Sequence, residues 1–300
     1  MDHPVSERPE AAPVRVLSRV AGSPLVQLLA RVGFAAKALL YSEIGYFALR
    51  RAWGWRAPLL DTKQALIRLA RSAVGPPLSA ATGLGLACLG GWFVIEALYN
   101  PQRRRGAWAA VSRLGQALGG LGYLALGAVG MRILLGLSVG PSADALARTG
   151  VAEALGVPGG ALVSGALGAA GIGVGIRQAA QGLSRSFHRS LDLRRAPLAV
   201  RLVVTALGAV GFTAQGTMFA AAGALILRAT LERSPGEAGG TRGVLKVISV
   251  QPGGSALLAA LAAGLLAYGA YALVEGSARR FPAERGRGPG ASEPRCSSGA

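Results

Sequence analysis

Eighteen mostly apolar residues separate Arg31 from Arg50, and this segment returns twice further along the chain. Adding 82 to Arg31, Gly33, Tyr41, Gly45 and Arg50 lands on Arg113, Gly115, Tyr123, Gly127 and Arg132. Adding 178 lands on Gly211, Phe219, Gly223 and Arg228, with Ala209 in place of the first arginine. Eighteen residues span ~27 Å as a helix, close to the ~30 Å hydrocarbon core of a bilayer. A segment of that length, repeated and flanked by arginine, predicts an all-α integral membrane protein.

Composition agrees. Hydrophobic residues make up 51% of the 300 and charged residues only 15%, against roughly a quarter charged for soluble domains. The 45 glycines would weaken soluble helices, whereas membrane helices use glycine for close packing. A net charge of +18 raises the question of nucleic acid. The arginines, however, gather at the ends of apolar segments, where they anchor helices at lipid headgroups. The bilayer is the expected partner and nucleic acid is not.

The remaining segments fall into place around the repeats. Each of the three holds two apolar spans, at about 32–49 and 78–99, 114–136 and 159–178, and 199–227 and 254–275. The even spans repeat as well: Gly83, Gly91 and Pro76 recur at an offset of 82 as Gly165, Gly173 and Pro158. Gly85, Leu86, Gly90 and Glu96 recur at an offset of 179 as Gly264, Leu265, Gly269 and Glu275. The expected organisation is a disordered tail over 1–24, repeats over 25–100, 101–182 and 183–281, and a disordered tail over 282–300. A short amphipathic helix is expected over 62–73, with Ala65, Leu66, Leu69 and Ala70 on one face.

Two spans per repeat keep all three repeats in one orientation, unlike the inverted repeats of many transporters. Three parallel hairpins suit a pseudo-threefold bundle. Six spans place both termini on one side of the membrane. The Arg103–Arg105 cluster directly after a span, and the basic bias of the tails and even connectors, predict that this side is the cytoplasm.

Spacing, with Arg31-x-Gly33 followed by Tyr41 and Gly45, repeated three times and joined to Gly-Leu-containing even spans, resembles a bacterial membrane family catalogued as domain of unknown function 1206. The resemblance covers about residues 25–281. It implies six transmembrane helices in a bacterial inner membrane, and carries no established activity, catalytic residue or cofactor.

Physical roles can be assigned to the repeated positions. Gly33, Lys37, Tyr41 and Gly45 are four apart and share a helix face, as do Gly115, Gly119, Tyr123 and Gly127 in the second repeat. Gly211, Gln215, Phe219 and Gly223 complete the set. Small residues at that spacing let a second backbone approach closely, beside an aromatic that fills the gap. Charges inside spans are few and costly there, by at least ~2.5 kcal/mol for Lys or Asp near the centre on insertion scales. Glu96, Gln178 and Glu275 share one repeat position near a helix C-terminus, where the dipole disfavours an anion. Arg31 and Lys37 are the expected partners of Glu96, and Glu275 is expected to borrow Arg201 or Arg279 or to stay protonated.

Function follows only as a class. The intramembrane set Arg31, Lys37, Glu43, Glu96, Gln178 and Glu275 admits a non-enzymatic scaffold or a bundle that handles a small solute or ion. A transporter or channel using Lys37, Glu43 and Glu96 is the alternative. A membrane enzyme is not expected, because no His-x-x-x-His, Cys-x-x-Cys or carboxylate pair stands at helical spacing. With His3 and His188 outside the spans and Cys88 far from Cys296, neither an intramembrane haem nor a metal is expected.

Overall fold

A computed structural model describes residues 24–72, 75–99, 107–184 and 197–278. Both expected tails, the Arg103–Arg105 cluster, His188, Arg279 and Cys296 lie outside the described residues. The described chain is helical, with no strand. It comprises α1 (Pro24–Ala52), α2 (Thr62–Ala70), α3 (Gly75–Tyr99), α4 (Ala107–Leu134), α5 (Ala143–Leu155), α6 (Gly160–Leu183), α7 (Leu198–Leu231), α8 (Thr241–Ser249) and α9 (Gly254–Ala278).

Five of these, α3, α4, α6, α7 and α9, are long and apolar enough to cross a membrane. Such a set is that of a multi-pass membrane protein. Helix α1 has 29 residues, enough for ~43 Å of helix, but carries Arg31, Lys37, Glu43 and Arg50.

Small residues determine which helices meet. Helix α1 packs between α3 and α9, α9 also packs on α7, α7 on α6, and α3 on α4. At the α1–α3 crossing, a Cβ on Gly33 would lie 2.6 Å from the Cβ of Leu89 and also against the Gly85 carbonyl. At the α7–α9 crossing, a Cβ on Gly211 would lie 2.7 Å from the Cα of Tyr268, and one on Gly264 would strike the Ala214 Cβ. Residues 211, 264 and 268 stand at the same offsets, 178 and 179, from 33, 85 and 89 that relate the sequences. The α3–α4, α6–α7 and α9–α1 pairs run antiparallel with equally close backbones. A Cβ on Gly90 would lie 2.5 Å from the Gly120 carbonyl oxygen, one on Gly175 2.5 Å from that of Gly216, and one on Gly45 2.9 Å from that of Ala262.

One seam is different. Helices α4 and α6 are not packed along their length. A Cβ on Gly115 would meet only Val174 there, at 3.8 Å, and one on Gly119 would meet no neighbouring atom within 4 Å. Leu167 occupies the position where Gly85 and Gly264 admit a neighbouring backbone, and it is 62% exposed. A branched side chain in that place holds the two helices apart. Burial reflects this: half of the apolar stretch of α9 is covered by protein, against 18% for α4.

Each connection from an odd to an even long helix carries a short helix, all at the same end of the bundle. Helix α2 ends at Ala70, a turn short of the expected 73. Asp61 caps it by accepting from the Gln64 backbone N–H at 2.7 Å. Helices α5 and α8 were not expected from hydropathy. The repeat offset locates α8, since Thr62 and Thr241 begin their helices 179 residues apart, and Leu66 and Leu245 are both fully buried. Gly240 replaces the Asp61 cap, and the missing acceptor comes from α5: Asp144 Oδ1 accepts from Gly240 N at 2.7 Å and Gly243 N at 3.2 Å.

Candidate functional site in the centre of the bundle

Lys37, Tyr41, Tyr123, Gln178, Gln215, Tyr268 and Glu275 converge from α1, α4, α6, α7 and α9. The Gln178 side-chain amide donates to Gln215 Oε1. Gln215, 3% exposed, donates from Nε2 to the Tyr41 hydroxyl at 2.7 Å. Tyr123 neighbours Tyr41, and Tyr268 neighbours Gln215. The Tyr41 and Tyr268 rings meet edge to face with centroids 4.9 Å apart.

Two buried charges flank this network. Lys37 is 4% exposed, with Nζ 4.5 Å from the Tyr268 ring centroid and 5.8 Å from that of Phe34. An ammonium over a desolvated aromatic face is stabilised by the ring quadrupole. Glu275 is 7% exposed on α9, near enough to Tyr123 and Tyr268 for its charge to act on both. Neither Lys37 nor Glu275 is free of partners. Amides and hydroxyls each donate and accept, so Gln178, Gln215 and Tyr41 form a continuous chain of exchangeable hydrogens, with Tyr123 beside its end. In hydrocarbon such a chain is stable only because its members satisfy one another.

The other polar positions lie elsewhere. Glu43 is near the upper end of α1, where Arg68 of α2 approaches it with Nε 3.8 Å from Oε1. The Arg68 guanidinium also stacks on Phe47, 4.0 Å from the ring centroid. Glu96 accepts from Gln116 Nε2 of α4 at 2.8 Å. Beside it, Arg113 donates from Nε to the Ala97 carbonyl at 2.7 Å and from Nη2 to that of Leu98 at 3.3 Å. A cation on the last carbonyls of α3 offsets the helix dipole that opposes Glu96. Arg31, whose repeat counterpart is Arg113, is exposed on α1 and has partners of its own. Lys37, Glu43 and Glu96 are therefore not gathered into one site.

Among the repeated packing positions, Gly33, Gly45, Gly127, Gly211 and Gly223 face close neighbours, and Gly115 and Gly119 do not. Tyr41 and Tyr123 enter the cluster, whereas Phe219, their counterpart, is 41% exposed. From the sequence Gln215 reads only as a member of the packing stripe, and Tyr268 is not singled out. Gln215 had a signal, as a lone amide at the repeat position of Lys37 and Gly119. Tyr268 had none, since Leu89 and Gly171 share its position. No group of three or more His, Cys, Asp or Glu capable of holding a metal occurs among the described residues.

Two regions of the chain, 32–100 and 210–279, match the model of the family described as Domain of Unknown Function (DUF1206). These are the first and third repeats, so the family resemblance read from the repeated residues is shown there. The Bacillus subtilis (strain 168) protein named "Uncharacterized protein YxxB" is 26% identical over 254 residues, covering 84% of this chain and 91% of that protein. No solved structure matches.

Proposed function

We propose that this chain, with its DUF1206 repeats, is a six-span inner-membrane protein that handles a small ion or polar solute at the central cluster and catalyses no reaction. In this reading α1 is the sixth span, and three hairpins of one orientation surround a pseudo-threefold axis. The order of neighbours supports that layout. The α3–α4, α6–α7 and α9–α1 contacts are equivalent between successive repeats, and α1–α3 and α7–α9 are equivalent within them. The basic even connectors favour cytoplasmic termini.

The observation that carries the functional reading is the hydrogen-bonded chain Gln178–Gln215–Tyr41, flanked by buried Lys37 and Glu275. Apolar side chains would fill the same space with no desolvation cost, and ionisable groups inside membranes mark ion or proton routes. The packed-scaffold reading draws on the aromatic side chains around the cluster, where Phe212 contacts Tyr268 and Tyr271 at 5.4 and 5.2 Å.

Flux decides between the two. The full chain, reconstituted in vesicles containing a pH-sensitive dye and given a potassium diffusion potential, is expected to pass protons faster than protein-free vesicles. Gln215→Leu is expected to remove that excess. Wild-type vesicles indistinguishable from empty ones, with potassium, sodium and protons each tried, would leave the scaffold.

A further inference from the structure

At the end of the bundle opposite the described chain termini, α5 and α8 enclose a cleft of about 200 Å³. Its walls carry Arg148 from α5 and Arg242 and Lys246 from α8, with Asp144 at its base. Three cations thus face one carboxylate, and that carboxylate is engaged: Oδ1 accepts from the backbone N–H groups of Gly240 and Gly243 at 2.7 and 3.2 Å. Arg148 donates from Nε to the Ala238 carbonyl at 3.3 Å, which steadies its guanidinium at the edge of the cleft. The side chains of Arg242 and Lys246 make no hydrogen bond or ion pair among the described residues.

The repeat offset provides a comparison. The counterpart of Arg242 in the first repeat is Lys63, whose ammonium donates to the carbonyls of Val139, Gly140 and Pro141, the last two at 2.9 and 2.6 Å. There the cation ties two connectors together; in the third repeat it is left facing the cleft. The depth is also set. Trp53 and Trp55, 66% and 54% exposed, follow α1 at this end, and exposed tryptophans mark the headgroup level of a bilayer. Leu146 on α5 and Val247 on α8 are exposed apolar residues on the same two helices.

We infer that this cleft binds a phosphate group, which accepts from the Arg148 and Arg242 guanidinium forks and the Lys246 ammonium. Planar guanidinium pairs suit tetrahedral oxyanions, and the lysine adds a point charge. The group comes from an anionic lipid headgroup or from free phosphate.

Native mass spectrometry of the full chain in maltoside separates these sources, with phosphatidylglycerol, diacylglycerol and inorganic phosphate as probes. Retention of phosphatidylglycerol over diacylglycerol, reduced about tenfold in R242Q/K246Q and unchanged in the exposed-site control R56Q, is the expected result for a headgroup. Inorganic phosphate retained alone, with the same loss in the double variant, supports the site and assigns it to the free ion. R148Q provides a second single-charge variant if the double variant melts early. Equal retention of the two lipids with no retained phosphate, or double and control variants behaving alike, would overturn the inference.

Discussion

Gly119 and Gly127 stand on the same helix two turns apart and should respond oppositely to bulk. A Cβ at Gly127 would lie 2.5 Å from the Ala87 Cβ and 3.0 Å from the Gly83 carbonyl. Gly119 has nothing within 4 Å, because the α4–α6 seam is open beside it. G127L is therefore expected to lower the yield of folded protein in detergent several-fold, as overpacking costs ~1–3 kcal/mol or more. G119L should match the wild type in fluorescence-detected size exclusion. Equal loss in both would mean that α6 closes on α4. The repeat offsets made Gly127 legible as a packing glycine and gave Gly119 the same reading. Space beside a residue depends on its partner helix, and the decisive substitution, Leu167, lies 48 positions away on α6.

Helix ends give a second contrast. Helix α2 has its own cap, Asp61, whereas α8 begins at Gly240 and depends on Asp144 of α5. Removing Asp144 leaves two backbone N–H groups of α8 without their acceptor, a loss of ~1–3 kcal/mol for buried donors. D144A is expected to speed hydrogen exchange at residues 240–245 while leaving 62–66 unchanged. Uniform protection in both segments would show that α8 does not need the contact. Helix α2 was legible because nine residues carry one apolar face after an Asp cap. Helix α8 was missed because a cap from another helix leaves no mark next to the segment it caps, whereas α5 carries its own cap, Ser142 accepting from the Ala145 backbone N–H at 3.2 Å, but no strong apolar face beside it. The long helices were legible nearly to their ends, since apolar length is a local property.

Across the whole molecule, the three-repeat reading of the sequence leaves open which helices meet, above all that α1 meets α9. That contact joins positions 34 to 45 with 262 to 276, the two ends of the described chain, and no local pattern announces it. Topology is tested first. With Cys88 replaced by alanine, an impermeant thiol reagent is expected to label Cys296 in inverted vesicles and not in intact spheroplasts. Labelling in spheroplasts would reverse the orientation.

The α1–α9 contact itself is tested along its seam. A Cβ on Gly269 would lie 2.6 Å from Ser42 Oγ, within reach of a disulfide, and 2.9 Å from the Ala38 carbonyl, so the two helices part slightly to admit it. In a chain lacking Cys88 and Cys296, S42C/G269C carrying a protease site in the 185–196 connector is oxidised in membranes and then cut. The two fragments are expected to stay joined until a reductant is added. Fragments that separate without reductant would contradict the packing of the first long helix on the last.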